Sequence, residues 1–257
     1  MSSDITVAGL KLARRLLNRK FRGAAGEFLV EGAQCVSEAL SASAAKKVLA
    51  TPQAAKQFPD LVRGGYTRVT PQQVEELSDT VTPQGIFAIC TTPTWSFDDV
   101  FTPQARLVVI CSQIRDPGNL GTVIRCADAF GADGVILSPG SVDYTNPKTV
   151  RASVGSIFHL PVVADADLKQ TLAAAHAQGF SILAADGTGE DLNDLAASGV
   201  LNSKIGWILG NEAWGLPHEL ALADKVVRIP MWGQAESLNL STAAAICLFA
   251  TASAQRR

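Results

Sequence analysis

Three short segments in the second half of the chain hold the residues whose types and spacing suit chemistry. The first is SQIRDPGNLGTVIRCADAFG, residues 112–131. Gly118 and Gly121 permit close approach of backbone to a ligand, and a helix starting there offers its N–H groups to an anion. Asn119 and Arg125 bring an amide and a permanent cation to the same turn and the first turns of that helix. The plainer reading is a tight strand-to-helix connection beside a solvated arginine. A dinucleotide fingerprint is ruled out, because the segment lacks Gly-x-Gly-x-x-Gly. The second segment is IGWILGNEAWGLP, residues 205–217. An apolar strand runs into Gly210, Asn211 and Glu212, the place where ligands bind in α/β sheets. There the carboxylate of Glu212 can accept hydrogen bonds or pair with Arg125; otherwise it caps a helix. The third is VVRIPMWGQAESLNLSTAAAICLF, residues 226–249. Ser237, Asn239 and Ser241 stand just before a helix of small residues, and a cap needs only one of them.

The elements that must position these groups follow from hydropathy. RLVVIC (106–111), DGVILS (133–138), LPVV (160–163), FSILAAD (180–186), KIGWIL (204–209) and KVVRI (225–229) read as strands, and 239–254 as the last helix. Near-continuous apolar strands alternating with helices imply a parallel sheet covered on both faces. Upstream, residues 8–20 read as a helix, 28–40 as a strand running into a helix, 46–51 and 85–90 as strands, and 71–79 as a helix capped by Thr70. TTPTWSFDDVFTPQA, residues 91–105, has two prolines and no helical period, and reads as a linker. The expected organisation is a small α/β domain over 1–91, a linker over 92–105 and a second domain over 106–257.

Bulk composition bounds the rest. In 257 residues, 47% are hydrophobic and 18% charged, enough for a sizeable core and too apolar for disorder. No apolar run reaches the length of a membrane span, and MSSDITVAGL lacks a signal-peptide pattern. The five cysteines are scattered, with no Cys-x-x-Cys pair. Neither zinc nor a disulfide framework is expected, and a reducing cytoplasm fits. No Gly-x-Ser-x-Gly elbow and no metal-ligand spacing occurs, so neither a serine hydrolase nor a metalloenzyme is expected.

Taken together and in order, the three segments resemble the SpoU (TrmH-like) family of the SPOUT superfamily. The motifs are Asn119 with Arg125, then Leu209-Gly210-Asn211-Glu212, then Ile229-Pro230-Met231 with Ser237-Leu238-Asn239-Leu240-Ser241. The first half is similar, more loosely, to the ribosomal-protein-like substrate domain of the family's ribosomal RNA enzymes, through FLVEG (28–32) and TPQGIFAI (82–89). The resemblance implies a C-terminal trefoil-knotted parallel sheet, preceded by a small α/β RNA-binding domain. It implies S-adenosyl-L-methionine as cofactor, bound by Leu209, Gly210, Asn211, Ile229, Met231 and Leu238. It implies methylation of a ribose 2′-hydroxyl in RNA, foremost large-subunit ribosomal RNA, by a homodimer joined through the catalytic domain, with no metal and no membrane. Asn119, Arg125, Glu212, Ser237 and Asn239 would form the catalytic set. A guanidinium whose pKa exceeds about 12 is a poor base. Arg125 is therefore expected to stabilise charge on the reacting oxygen or to clamp a phosphate. Asn119 and Asn239 would orient ribose and loop, Ser237 would bond the substrate or Arg125, and Glu212 would position Arg125 or Asn119.

The net charge of −2 and the pI of about 5.9 argue against a nucleic-acid partner. The local distribution reverses that inference. KLARRLLNRKFR, residues 11–22, carries Lys11, Arg14, Arg15, Arg19, Lys20 and Arg22 with no acid among them. These six are the expected RNA contacts, against the plainer reading of a solvated helix face. Two other functions compete: a transfer-RNA ribose methyltransferase, and a non-catalytic RNA-binding or ribosome-assembly protein. The intact polar set argues against the latter, and antibiotic-resistance methylation stays open.

Overall fold

The computed structural model describes residues 2–211, 216 and 219–256. Two compact units emerge, Met1–Pro93 with Asp143–His159, and Thr94–Val142 with Leu160–Arg257.

The first unit is built on a mixed sheet of β1 (Ser2–Asp4), β2 (Glu27–Glu31), β3 (Ala45–Ala50), β4 (Tyr66–Arg68) and β5 (Ile86–Thr91), in the order β1-β4-β3-β5-β2. β5 is antiparallel to both β2 and β3, whereas β4 runs parallel to β3 and β1. The helices are α1 (Val7–Arg15), α2 (Arg19–Ala25), α3 (Ala33–Ser41), α4 (Pro52–Gln57) and α5 (Pro71–Leu77). Ala13 and Leu16 join Val74 and Leu77 of α5 over Leu29, Leu49, Phe87 and Ile89. Thr70 opens α5 through a reciprocal capping box with Gln73. The one helix expected over 8–20 is two helices. Asn18 takes an extended conformation and its Oδ1 accepts from Lys20 N at 3.0 Å, so the side chain ends one helix and caps the next.

The second unit is a six-stranded sheet of β6 (Leu107–Cys111), β7 (Gly134–Leu137), β8 (Val162–Val163), β9 (Ser181–Asp191), β10 (Ile205–Leu209) and β11 (Lys225–Arg228). The order is β11-β9-β10-β6-β7-β8, and every pairing is parallel. The expected linker is not structureless. Its FDDV stretch forms the short helix α6 (Phe97–Val100), capped by Ser96 and Asp99, and Val100 and Phe101 enter the core beneath the sheet. From β6 the chain runs into α7 (Pro117–Ala129). Between β7 and β8 it supplies residues 143–159, which fold with the first unit. There α8 (Pro147–Ser153) packs on β2, Phe158 stacks on Phe28 at 5.9 Å, and Arg151 Nη1 donates to Glu31 at 3.0 Å.

The second unit closes with α9 (Leu168–Ala177), α10 (Leu192–Ala197) and α11 (Leu240–Gln255). Alternate residues of the buried strands face opposite layers. Val108, Ile110, Ile182 and Ile208 meet Phe101, Leu172 and Phe180 on one face. On the other, Trp207 is fully buried and its Nε1 donates to Thr251 Oγ1 of α11 at 2.9 Å. The five cysteines are free thiols. Burial pushes Cys90 and Cys247 up to about 12, which keeps them protonated and inert at neutral pH. Among the described residues, no helix is long and apolar enough to cross a membrane, and no cluster of three or more His, Cys, Asp or Glu is arranged to hold a metal.

Candidate active site

Because the strands of the second unit are all parallel, the segments that leave β6, β9, β10 and β11 emerge at one edge of the sheet. All three chemistry-bearing segments are among them.

At the end of β6, Ser112 N still bonds Leu209 O of β10 at 2.8 Å. Gln113 then adopts a left-handed φ of 50°, its N–H donating to Ser138 Oγ and its carbonyl accepting from Asn211 Nδ2 at 2.8 Å. Such a conformation is costly for a residue with a Cβ and persists only where the surroundings over-determine it. Here the two flanking bonds do so. Asp116 caps α7, its carboxylate accepting from Asn119 N at 2.7 Å, with Pro117 at the first helical position.

Asn239 caps α11. Its Oδ1 accepts from Ser241 N and Ser241 Oγ, at 2.9 and 2.6 Å. Its Nδ2 donates across to Asn119 Oδ1 at 3.0 Å. One side chain thus satisfies the helix start and ties the third segment to the first.

A cavity of about 540 Å³ opens beneath the 229–239 loop. Leu209, Gly210, Asn211, Ile229, Met231 and Leu238 all line it, together with Ser237 and Asn239. Asn211 is 6% exposed, and its Nδ2 bond to the Gln113 carbonyl ties this wall of the cavity to the turn after β6. Asp186, Gly187 and Glu236 also face the cavity, and none of them belongs to the set expected from the motifs. The first two lie in an excursion from β9. Ala184 pairs with Val226 of β11, and the next pair is Glu190 with Val227, so residues 185–189 leave the ladder. Asp186 Oδ1 closes a turn by accepting from Thr188 N and Oγ1, at 3.0 and 2.7 Å. A Cβ on Gly189 would collide with the backbone of Val226, so only glycine lets the neck of the excursion press against β11. The Asp-Gly-Thr-Gly run after an apolar strand is the sequence signal for this turn.

The structure locates Arg125 away from the cavity and corrects one expected RNA contact. Arg125 lies in the third turn of α7, exposed to solvent, and does not line the cavity. Six residues along a helix correspond to about 9 Å and about 120° of rotation, so Asn119 and Arg125 do not share a face. Arg22 is not an RNA contact. It is 3% exposed, and its guanidinium is spent on Asp143, Thr145 and the carbonyls of Leu16 and Leu17. Glu212 lies outside the described residues. Lys11, Arg14, Arg15, Arg19 and Lys20 are exposed on α1 and α2. Arg14 reaches Glu76 at 3.1 Å, and Arg15 lies 3.8 Å over the Phe21 ring.

Against known proteins, the profile of the SpoU rRNA Methylase family matches residues 106–249. The chain belongs to the SpoU family. A second profile, the MRM3-like substrate binding domain, matches residues 8–88. The 23S rRNA (guanosine(2553)-2′-O)-methyltransferase RlmP of Bacillus subtilis is 34% identical over 241 residues, covering 92% of each chain. The SpoU methyltransferase AviRb from Streptomyces viridochromogenes, solved in complex with the cofactor AdoMet, superposes with a TM-score of 0.85 at 30% identity over 98% of each chain. An AdoMet-bound rRNA methyltransferase from Sinorhizobium meliloti gives 0.83 at 32% identity over 97% of each. The three segments all lie within the matched residues 106–249, and the Asn119–Asn239 bond joins the first of them to the third.

Proposed function

We propose that the chain methylates a ribose 2′-hydroxyl of large-subunit ribosomal RNA, with S-adenosylmethionine held in the cavity beneath the 229–239 loop. The observation that carries this reading is convergence. Residues as distant in the chain as Asp186, Leu209 and Leu238 line one cavity, and Asn239 bonds Asn119 at its edge. The walls suit a purine nucleoside with a cationic tail: apolar Leu209, Val227, Ile229 and Leu240, with two carboxylates and no cation among the described lining residues. The bound cofactor would supply an electrophilic methyl group. The chain's task is to hold the ribose oxygen in line with that methyl and to exclude competing water. Asn119 and Asn239, locked by their mutual bond, present a fixed edge against which a ribose can be oriented. Ser237 offers a hydroxyl inside the cavity. Arg125 stabilises the developing alkoxide or clamps the neighbouring phosphate through its planar fork of donors. Incubating the protein with labelled S-adenosylmethionine and 23S rRNA, then mapping 2′-O-methyl positions, tests the reading. A single labelled ribose is expected; transfer to transfer RNA alone, or to nothing, would overturn it.

The first unit is assigned to substrate binding. It carries thirteen Lys and Arg against nine Asp and Glu, whereas the second carries nine against fifteen. The acidic pI of the whole therefore conceals a basic half. Replacing Arg14, Arg15 and Arg19 together by alanine should weaken RNA binding without altering cofactor binding. The slope of log affinity against log salt should flatten by roughly 0.7–0.9 for each phosphate no longer neutralised. An unchanged slope would return α1 and α2 to an ordinary solvated surface.

The same reading includes a homodimer through α7 and α11. Phe249 of α11 is 59% exposed, with its ring edge-on to Phe130 beyond the end of α7 at 5.7 Å. Half-buried Ala245 and Ile246 extend this apolar stripe. Phe249→Asp should convert the dimer to a monomer in sedimentation velocity. A wild-type protein that sediments as a monomer at micromolar concentration ends this part of the proposal.

A further inference from the structure

The cavity carries a charge that the family motifs leave unexplained. Among its described lining residues, Asp186 and Glu236 are acidic and none is Lys, Arg or His. They stand on different loops, the β9 excursion and the 229–239 segment. Asp186 is the better fixed of the two. It is half-buried, and its Oδ1 takes both bonds from Thr188, so the turn holds the carboxylate at the wall through one oxygen. The turn needs an acceptor at that position, not a charge; an asparagine closes the same kind of turn. The negative charge is therefore surplus to the local structure, and it faces a space that the proposed reading fills with a sulfonium compound.

We propose that the Asp186 carboxylate selects the cationic, methyl-bearing cofactor over its neutral demethylated product. The inference rests on the cofactor reading above. S-adenosylmethionine carries one more positive charge than S-adenosylhomocysteine, and little else separates them. A fixed negative charge in a partly desolvated wall attracts the first more than the second. It favours loading before the reaction, and it loosens the hold on the product once the sulfonium has become a thioether. A carboxylate that bonded a ribose hydroxyl, or paired with the amino group common to both ligands, would hold the two equally.

That difference gives the experiment. Calorimetry on full-length protein would measure S-adenosylmethionine, S-adenosylhomocysteine and sinefungin, in which an amine-bearing carbon replaces the sulfonium. Asp186→Asn keeps an Oδ1 acceptor for Thr188 and removes only the charge. The variant should bind S-adenosylmethionine and sinefungin about five- to tenfold more weakly, a unit charge acting across several ångströms of partly screened space. Its affinity for S-adenosylhomocysteine should stay within about twofold. In the wild type, raising salt should weaken the two cationic ligands more than the neutral one. Equal losses for all three ligands, or no loss for any, would overturn the inference while leaving the cofactor reading intact. A wild-type protein that binds none of the three would overturn the cofactor reading itself. If Asp186→Asn fails to fold, the wild-type salt series decides alone, and equal salt dependence of charged and neutral ligands counts against Asp186.

Discussion

Arg125→Ala should lower methyl transfer at least a hundredfold while leaving the affinity for S-adenosylmethionine within about twofold. Arg125 is exposed in the free chain, so it becomes a charge-stabilising group only where bound RNA covers it and excludes water; there such a group contributes on the order of 3–4 kcal/mol, and only in the transition state. The structure sharpens both halves of this expectation. Arg125 does not line the cavity, so removing it takes nothing from the cofactor's surroundings. It is exposed on the third turn of α7, so its removal opens no hole in the core and leaves the capped start of the helix at Asp116 untouched. Arg125→Lys should also be poor, because an ammonium cannot reproduce the planar fork that grips a phosphate or alkoxide from two sides. The pH profile separates clamp from base. Were Arg125 the base, the lysine variant would regain activity as its amine deprotonates at high pH. A clamp predicts no such preferential rescue over wild type. Single-turnover rates on the correct RNA, with calorimetry of the cofactor alongside, read both quantities. Near-wild-type turnover by Arg125→Ala would remove this residue from the chemistry, and an equal loss of cofactor affinity would make it a binding residue instead.

The cavity is legible in the sequence because its walls are made of local signals. Leu209-Gly210-Asn211 and Ile229-Pro230-Met231 each follow an apolar strand, and a parallel sheet brings strand ends to one edge whatever the strand order. Local signals do not carry the strand order itself, with β10 inserted between β9 and β6. The Asp186-Gly187-Thr188-Gly189 run marks the excursion at 185–189 as a turn, but not the return of Glu190 and Asp191 to the ladder beside β11. Asn119 and Arg125, expected near the turn after β6 and on the first turns of its helix, both lie in α7 but on different faces. Spacing in sequence is not proximity in space: α7 starts at Pro117, ahead of Asn119, and its rotation carries Arg125 away. Segment 143–159 shows the same limit on a larger scale. It lies between two strands of the second sheet in sequence, yet its Asp143, Arg151 and Phe158 find their partners on the first unit's β2 and α2. Charged residues are the hardest to read in this way. Arg19 and Arg22 are neighbours in one basic run, and only the corner at Asn18 decides that the first faces solvent and the second faces inward.

Arg22 is accordingly where the largest loss of stability is expected. Its Nε and Nη2 donate to Asp143 Oδ2 at 3.0 and 2.6 Å, its Nη1 donates to the carbonyls of Leu16 and Leu17 at 3.0 and 2.9 Å, and Nε also reaches Thr145 Oγ1 at 3.2 Å. The carbonyls lie at the corner between α1 and α2, where the chain leaves the first helix without internal partners for them. The side chain of Arg22 is 3% exposed and that of Asp143 15%. Removing one member of a buried pair strands the other charge, at a cost of about 3–5 kcal/mol. Arg22→Ala should therefore destabilise the first unit by roughly that amount, whereas Arg19→Ala, on the exposed side of the same run, should cost no more than about 0.5 kcal/mol. Two units need not unfold together, so a single melting temperature is a poor measure. Hydrogen exchange at the β2–β5 ladder under native conditions reads the first unit directly. Protection there should fall about a hundredfold or more in Arg22→Ala and hardly at all in Arg19→Ala. The double variant Arg22→Met/Asp143→Ala, which leaves no charge stranded, should recover part of the loss. Equal protection in the two single variants would mean that Arg22 is not a structural residue, and would return it to the RNA-facing set from which its burial removes it.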